Sequence, residues 1–361
     1  MSRIKVLLGT TALIAAGLAT GAPTSAEAAT VSPGGALDLT ITGFARFRAH
    51  GGDIDNARLD ERFSRDLDFS NDTEVHVVGR GRDDATGVEY GMTVEFEADT
   101  NVTVNTDETW IFVRGGFGEF RLGDEDGPVD NSAVGGFTVA AGTGGIDGSV
   151  VDAIGTGVVK PFNSGDATKI RYYTPSIGGF QLGVSYTPNV DAGGNSLAFA
   201  DVEVQHFVEG AVTYTGNFAG FDILASGVGS WCDLNVAGED DCYTWGAGAS
   251  VNLFGFRLAG GYFSQTVGDA EKDFFNAGIG AGLGPVNLSL TYGQVIDSSD
   301  LVVNGNELDE PYNLVLSADV ALAPGLVLAG DVSYFDNDVD SGPFDGDDDG
   351  WQAVARLGLA F

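Results

Sequence analysis

The sequence predicts an all-β fold, a transmembrane antiparallel β-barrel of about 16 strands with a long third loop folded into the lumen. Segments of alternating apolar and polar residues recur along the chain, and short and long connections alternate between them. After the N-terminus, no segment has the roughly 20 uninterrupted apolar residues that a membrane helix needs. The 55 glycines also disfavour helices, because each costs about 1 kcal/mol relative to alanine.

The first 28 residues predict a cleaved export signal. Basic residues precede the apolar stretch 6–19, and Ala26 and Ala28 supply the small-x-small pattern of a cleavage site. An N-terminal membrane anchor is the alternative, but the apolar stretch is short for spanning a bilayer. We expect cleavage after Ala28, which leaves residues 29–361 as one barrel domain.

The composition excludes several classes of protein. A formal charge of −35 argues against a nucleic-acid binder, which needs basic patches to neutralise phosphates. Hydrophobic residues make up 43% of the chain and aromatic residues 10%, which is too much for a disordered chain. Strong acidity instead suits a surface that attracts cations, including those that bridge lipopolysaccharide. Lipopolysaccharide and outer-membrane lipid are therefore expected partners.

The last strand, 351–361, shows the alternation most clearly. Its odd positions are apolar from Trp351 to Phe361, and its even positions include Gln352 and Arg356. An ordinary surface strand also alternates, but here aromatic residues bracket about the 9–11 residues that a tilted strand needs to cross a bilayer. The polar face is too polar to belong to a packed core. A barrel with lipid outside and water inside accounts for the apolar face and the polar face alike. Segments 37–48, 180–187 and 286–293 repeat the pattern, with Phe44 as an exception.

Short and long connections alternate along the whole chain, as in outer-membrane barrels. Tight links are predicted at 83–86, 115–117, 176–179, 216–220, 254–255, 284–285 and 323–325. Longer, acidic links are predicted at 50–65, 100–105, 125–167, 189–205, 232–242, 266–273, 297–311 and 337–349. Eight long and seven short links join sixteen strands, and this even number places both termini in the periplasm. Weak patterning at 66–82 and 106–124 leaves fourteen or eighteen strands as alternatives.

The third long loop, residues 125–167, is far longer than a hairpin needs. It mixes apolar residues such as Phe137, Ile146 and Phe162 with several carboxylates. A solvated loop has little use for so many apolar side chains, so we expect this one to fold into the lumen. A surface loop that folds on itself or lies at a subunit contact is the alternative.

Several of the few basic residues fall on predicted lumen-facing positions of the early strands. Clustered cations repel one another unless acids oppose them, and the third-loop carboxylates are the natural partners. Such a pairing would set a transverse field across the narrowest part of a pore. Alternatively, arginines on any polar barrel wall fall inward without a special role. The predicted basic wall consists of Arg46, Arg48, Arg80, Arg82, Arg121, Lys169 and Arg171.

Two features suggest covalent or metal chemistry. Cys232 and Cys242 are expected to form a disulfide in the oxidising periplasm. Asp345, Asp347 and Asp349 match the start of a calcium loop, but Arg356 stands where a bidentate glutamate belongs. We interpret this segment as a solvated acidic tip, with a weak structural Ca²⁺ site as the alternative. No cofactor is required.

Other functional classes fit less well. A barrel enzyme needs a constellation of histidine, serine and acid, and the three histidines are isolated in the sequence, so no enzymatic activity is predicted. A substrate-specific channel would show aromatic residues along its lumen, whereas most aromatics here fall on the outer face. A secreted calcium-binding β-solenoid would need a Gly-Asp nonapeptide repeat, which is absent from the sequence.

Three short motifs and the terminal Phe361 carry a resemblance to a known family. The motifs are DETWIFVRGGFGEFRLGD at 107–124, RYYTP at 171–175 and GFQLGVSY at 179–186. With them, the chain resembles the general diffusion porins of Gram-negative bacteria, in particular the alphaproteobacterial type. The resemblance implies a trimer of sixteen-stranded barrels. It also implies a constriction loop at 125–167 whose acids, Glu125, Asp126, Asp130, Asp147 and Asp152, face the basic wall.

The family resemblance and the acid excess predict a passive, weakly cation-selective channel for small polar solutes and ions in the outer membrane. A substrate-specific outer-membrane channel is the alternative. One departure from the family pattern is that the third loop is rich in glycine and carries Lys160.

Overall fold

The computed structural model describes residues 29–31, 37–55, 67–98, 106–149, 158–190, 203–236, 241–299, 302–303, 306–308, 310–337, 339–341 and 349–361. The predicted signal segment 1–28 lies outside the described residues, as do Asp152, Asp345 and Asp347.

Sixteen strands form a closed antiparallel barrel, as the sequence predicts. The last strand pairs with both its predecessor and the first strand, which closes the sheet. A short strand, Ala29–Val31, pairs with the first barrel strand, and a separate small sheet joins Val302–Val303, Asn306–Leu308 and Val339–Ser341. The barrel strands are β1 (Asp38–Asp55), β2 (Leu67–Asp83), β3 (Val88–Glu97), β4 (Thr106–Gly115), β5 (Gly118–Asp124), β6 (Thr168–Tyr173), β7 (Phe180–Asn189), β8 (Val204–Phe218), β9 (Phe221–Leu234), β10 (Cys242–Leu253), β11 (Phe256–Val267), β12 (Ala270–Leu283), β13 (Val286–Ser299), β14 (Tyr312–Ala323), β15 (Leu326–Asp336) and β16 (Asp349–Ala360).

The strands alternate between an apolar outer face and a more polar inner face. On β7, Phe180 is 56% exposed, whereas Ser185 is 4% exposed. Phe44, the exception in the sequence pattern, lies on the inner face, where the guanidinium of Arg46 is 3.6 Å from its ring centroid. A cation above the negative face of an aromatic ring is favourable, which explains an inward phenylalanine beside an arginine.

The seven predicted tight links are present, but the predicted long link 266–273 is wrong. Only Gly268 and Asp269 separate β11 from β12, and Val267 pairs with Ala270. Gly268 has a φ of 62°, in the left-handed region that glycine tolerates, so the chain turns within two residues. Polar residues that suggested a loop, such as Lys272, belong to β12.

The described part of the third loop, residues 125–149 and 158–167, contains one short α-helix, α1 (Pro128–Ser132), and two 3₁₀ helices at Gly136–Val139 and Gly145–Asp147. Among the described residues, no helix is both long enough and apolar enough to cross a membrane.

Candidate functional site: the third loop and the inner barrel wall

A buried carboxylate between two arginines fixes the start of the third loop. Glu125 follows β5 directly and is 2% exposed. Its Oε2 lies 2.9 Å from Nη2 of Arg171 on β6 and 3.2 Å from Nη1 of Arg121 on β5. Burial raises the pKa of Glu125, while Arg171 and Arg121 act in the opposite direction. Three residues of the predicted site therefore form one ionic group around a buried carboxylate.

Lys169 and Arg171 also hold the loop through its backbone. Lys169 is buried, and its Nζ donates hydrogen bonds to the carbonyl oxygens of Glu125 and Gly165. Nη1 of Arg171 donates to the carbonyl oxygen of Asp126 at 2.8 Å. These cations are thus used to position both ends of the loop.

Asp130 pairs within the loop itself rather than with the wall. Nζ of Lys160 lies 3.0 and 2.9 Å from the two carboxylate oxygens of Asp130. Burial lowers the pKa of Lys160, but Asp130 and Asp147 outweigh it and raise that pKa above its ordinary value. The lysine that departs from the family pattern therefore joins the two halves of the loop as a charged ammonium.

The remaining basic residues lie apart from the group around Glu125. Arg46 and Arg48 on β1 both contact the carboxylate of Asp72 on β2, with Nη1 of Arg46 at 2.9 Å. Arg82 is 58% exposed, beside the tight turn after β2. Arg80 lines a cavity described below. The structure therefore brings Arg121, Lys169 and Arg171 together at Glu125, and Arg80 lines the same cavity as Arg121 and Arg171.

From this anchored start, the loop extends to inner-face side chains of distant strands. These side chains accept hydrogen bonds from backbone N–H groups of the loop, over sequence separations of more than 100 residues in most cases. The pairs are Gly136 with Asn276 (2.7 Å), Ala141 with Ser289 (2.8 Å), Gly142 with Asp319 (2.9 Å), Thr143 with Asp331 (3.0 Å), Ile146 with Thr291 (3.0 Å), Phe162 with Gln265 (3.1 Å) and Ser164 with Glu209 (2.8 Å). These wall residues are not among the residues predicted from the sequence. In the sequence, only their polar character at inner-face positions marks them as candidates for contact with the loop.

Apolar contacts support the same arrangement. Val129 and Val158 of the loop are fully buried with Phe263, Phe274 and Val295 of β11, β12 and β13. Ile146 is fully buried in a second cluster with Val315 and Val354. The expectation that the apolar residues of the loop pack against another surface is therefore correct for these residues. That surface is the inner face of the barrel.

Glycines on the wall allow the loop backbone to approach closely. A Cβ added to Gly278 on β12 would lie 2.5 Å from the carbonyl oxygen of Gly136. A Cβ on Gly261 of β11 would lie 2.5 Å from the carbonyl oxygen of Val134. Real Cβ atoms do not approach a carbonyl oxygen so closely, so these glycines are needed for the contact.

A cavity open to solvent lies between the start of the loop and the opposite part of the wall, β2 to β6. Its charged lining contains five carboxylates and four guanidinium groups. These are Glu95, Glu108, Glu119, Glu125 and Asp126, and Arg80, Arg114, Arg121 and Arg171. Trp110, Phe112, Thr93, His76, Val78 and Asn131 complete the lining. The cavity is therefore polar, with charges of both signs.

Two other predicted groups lie at the strand ends remote from the tight turns. Cys232 and Cys242 are directly paired on β9 and β10, with Cα atoms 5.0 Å apart, and form a disulfide. They pack with Phe207, whose ring centroid is 5.5 Å from that of Phe162 in the loop. Asp349 begins β16, and its Oδ2 accepts a hydrogen bond from the hydroxyl of Tyr334 at 3.2 Å.

A scan against protein families matches residues 9–340 to a model described as Gram-negative porin. The chain belongs to this porin family. It is thus a member of a family of outer-membrane β-barrel channels. No curated protein sequence matches this porin.

Solved structures share the barrel fold of this porin at low sequence identity. An anion-selective porin from Comamonas acidovorans has 19% identity and a TM-score of 0.62, with 90% of this chain and 99% of that chain covered. In-vitro folded OmpT of Vibrio cholerae, in its trimer form, has 11% identity and a TM-score of 0.62, with 91% and 100% covered. The outer-membrane channel DcaP of Acinetobacter baumannii has 12% identity and a TM-score of 0.61, with 94% and 100% covered.

Proposed function

We propose that this porin is a passive diffusion channel for small hydrophilic solutes and ions, and that its third loop lies in the lumen. The observation that carries the proposal is the hydrogen bonding of the loop to the inner faces of β8 and β11 to β15. On the opposite side, the charged cavity beside β2 to β6 stays open to solvent. Solutes pass through this opening, between the loop and the wall.

Selectivity for cations is expected to be weak. The cavity lining carries five carboxylates against four guanidinium groups, so its own excess of negative charge is small. The larger acid excess, 52 acidic against 17 basic residues over the whole chain, raises the local cation concentration only within about a Debye length, roughly 8–10 Å. The similar Comamonas porin is anion-selective, but at 19% identity this does not predict the preference of the present chain.

The remaining parts of the proposal concern assembly and surroundings. We propose a homotrimer with both termini in the periplasm and the long loops facing lipopolysaccharide. The trimer form of the similar OmpT structure supports this oligomeric state. We also propose an export signal at residues 1–28 and a solvated acidic tip at Asp345, Asp347 and Asp349, with weak Ca²⁺ binding as the alternative for the tip.

The test is the single-channel conductance of the purified protein in a planar bilayer, with the reversal potential measured under a KCl gradient. Three equal conductance sub-levels with a modest cation preference would support a trimeric diffusion channel. Absence of conductance would contradict the proposal. A current that one particular solute blocks would favour the alternative, a substrate-specific channel whose four cavity arginines bind that solute.

A further inference from the structure

Three metal-ligating side chains meet on the inner face of β2 and β3. Glu74, His76 and Glu95 are 2%, 3% and 4% exposed, respectively. Glu74 and His76 are two positions apart on β2, so their side chains share a face of the strand. His76 is directly paired with Glu95 on β3, which brings the imidazole beside the second carboxylate.

The distances within this group place all three side chains close enough to share one cation. Nε2 of His76 lies 2.8 Å from Oε2 of Glu74 and 3.6 Å from Oε2 of Glu95. One ring nitrogen donates a single proton, so it serves the nearer carboxylate and leaves the other beyond hydrogen-bond range. With metal–ligand bonds of about 2.0–2.2 Å, ligand atoms around a zinc ion are roughly 3–3.5 Å apart. The two observed separations bracket that range.

The surrounding charge favours a divalent cation at this position. The carboxylate of Glu74 also lies within 4.8 Å of those of Glu97 and Asp107. Several carboxylates held this close repel one another unless cations oppose them. Arg46 interacts electrostatically with Glu74 and offsets part of this repulsion, and a divalent cation would offset more of it. His76 and Glu95 also line the open cavity, so an ion has a path to them from water.

We propose that Glu74, His76 and Glu95 bind a divalent transition-metal ion, with Zn²⁺ as the representative, at the wall of the lumen. The imidazole ligand distinguishes this site from a Ca²⁺ or Mg²⁺ site, because those ions take oxygen ligands. The three ligand atoms all lie within 4.8 Å of one another, so small side-chain rotations would bring them around one ion. A buried hydrogen-bond network without metal is the opposing interpretation.

The first test is equilibrium dialysis of the folded, untagged protein against ZnCl₂, with bound zinc quantified per chain. We expect saturable binding of one zinc ion and at least about a tenfold loss of affinity in His76→Asn, since even outer-shell changes at metal sites cost about 10–100-fold. The matched control is His206→Asn, because His206 is exposed and bonded to Tyr186 on the outer face. Equal losses in both variants, or no saturable binding, would overturn the proposal.

A second measurement does not need His76 to be replaced. The chain has 3 histidines, so a His50→Asn/His206→Asn variant retains His76 as its only imidazole. X-ray absorption of this variant loaded with zinc should show one imidazole and oxygen ligands, unchanged by excess Ca²⁺. A zinc coordination shell without imidazole, or displacement of zinc by Ca²⁺, would show that only carboxylates bind the zinc ion. Either result would refute the proposed site.

Discussion

The backbone N–H of Thr143 donates to Oδ1 of Asp331 at 3.0 Å, across 188 residues of sequence. The hydroxyl of Thr143 donates to the same carboxylate. Nη2 of Arg356 donates to the carbonyl oxygen of the preceding residue, Gly142, at 3.0 Å. The tip of the third loop is therefore held by β15 and β16, the strands that complete the barrel.

Removal of the Asp331 carboxylate should loosen the loop tip. Hydrogen bonds to a charged acceptor contribute about 1.5–3 kcal/mol, so Asp331→Ala should increase current noise and mean conductance in a planar bilayer. The control is Asp222→Ala, because Asp222 accepts a hydrogen bond from Asn217 at a tight turn and not from the loop. Equal current noise in Asp331→Ala and the wild type would show that this contact does not hold the loop.

Gly278 allows the loop to approach the wall, and a methyl group there should displace the segment around Gly136. The Gly278→Ala Cβ would meet the Gly136 carbonyl oxygen at 2.5 Å, so we expect a changed single-channel conductance in a barrel that still folds. At Gly227 the nearest atom to an added Cβ is 3.9 Å away, which makes Gly227→Ala the control. Wild-type conductance in both variants would contradict a close approach of the loop to the wall at Gly278.

The barrel itself follows from the sequence, because lipid and water impose period-2 alternation on each strand. The predicted link at 266–273 is wrong because β11 and β12 extend to a two-residue turn, and polar residues such as Lys272 continue to pair there. Sequence alone does not distinguish such an extension from a loop.

The site is predicted less completely, because its contacts join residues far apart in the chain. Arg121, Arg171 and Glu125 flank the third loop in sequence, and sequence analysis placed them in the site. Asn276 and Asp331 accept bonds from the loop across more than 100 residues, and nothing local marks them. Asp130 was expected to face the wall, but Lys160 lies beside it in three dimensions.

Arg171 should matter far more to stability than an exposed arginine. Arg171→Gln leaves the carboxylate of Glu125 buried with one fewer partner, and removal of one member of a buried ion pair costs about 3–5 kcal/mol. Arg82 is 58% exposed, so Arg82→Gln should cost about 0–1 kcal/mol. Unfolding midpoints in guanidinium chloride compare the two variants. Similar midpoints would contradict a structural role for the Glu125–Arg171 pair.

The disulfide between Cys232 and Cys242 should stabilise the barrel end near Phe162. A disulfide that closes a short loop contributes about 2–4 kcal/mol, so the double variant Cys232→Ser/Cys242→Ser should unfold at lower denaturant concentration. Reduction of the wild type should lower its midpoint to the same value, and reductant should leave the double variant unchanged. A double variant as stable as the oxidised wild type would refute this prediction.

The central claim is that the open passage lies between the third loop and β2 to β6, and not between the loop and β12 to β14. The most direct test compares the reactivity of Arg80→Cys and Ser289→Cys with a charged methanethiosulfonate reagent during conductance recording. Arg80 is exposed and lines the cavity, whereas Ser289 is buried and accepts a hydrogen bond from Ala141 of the loop. We predict rapid modification and a lower current for Arg80→Cys, with Ser289→Cys protected. Equal reactivity at the two positions, or faster reaction at Ser289→Cys, would contradict the account.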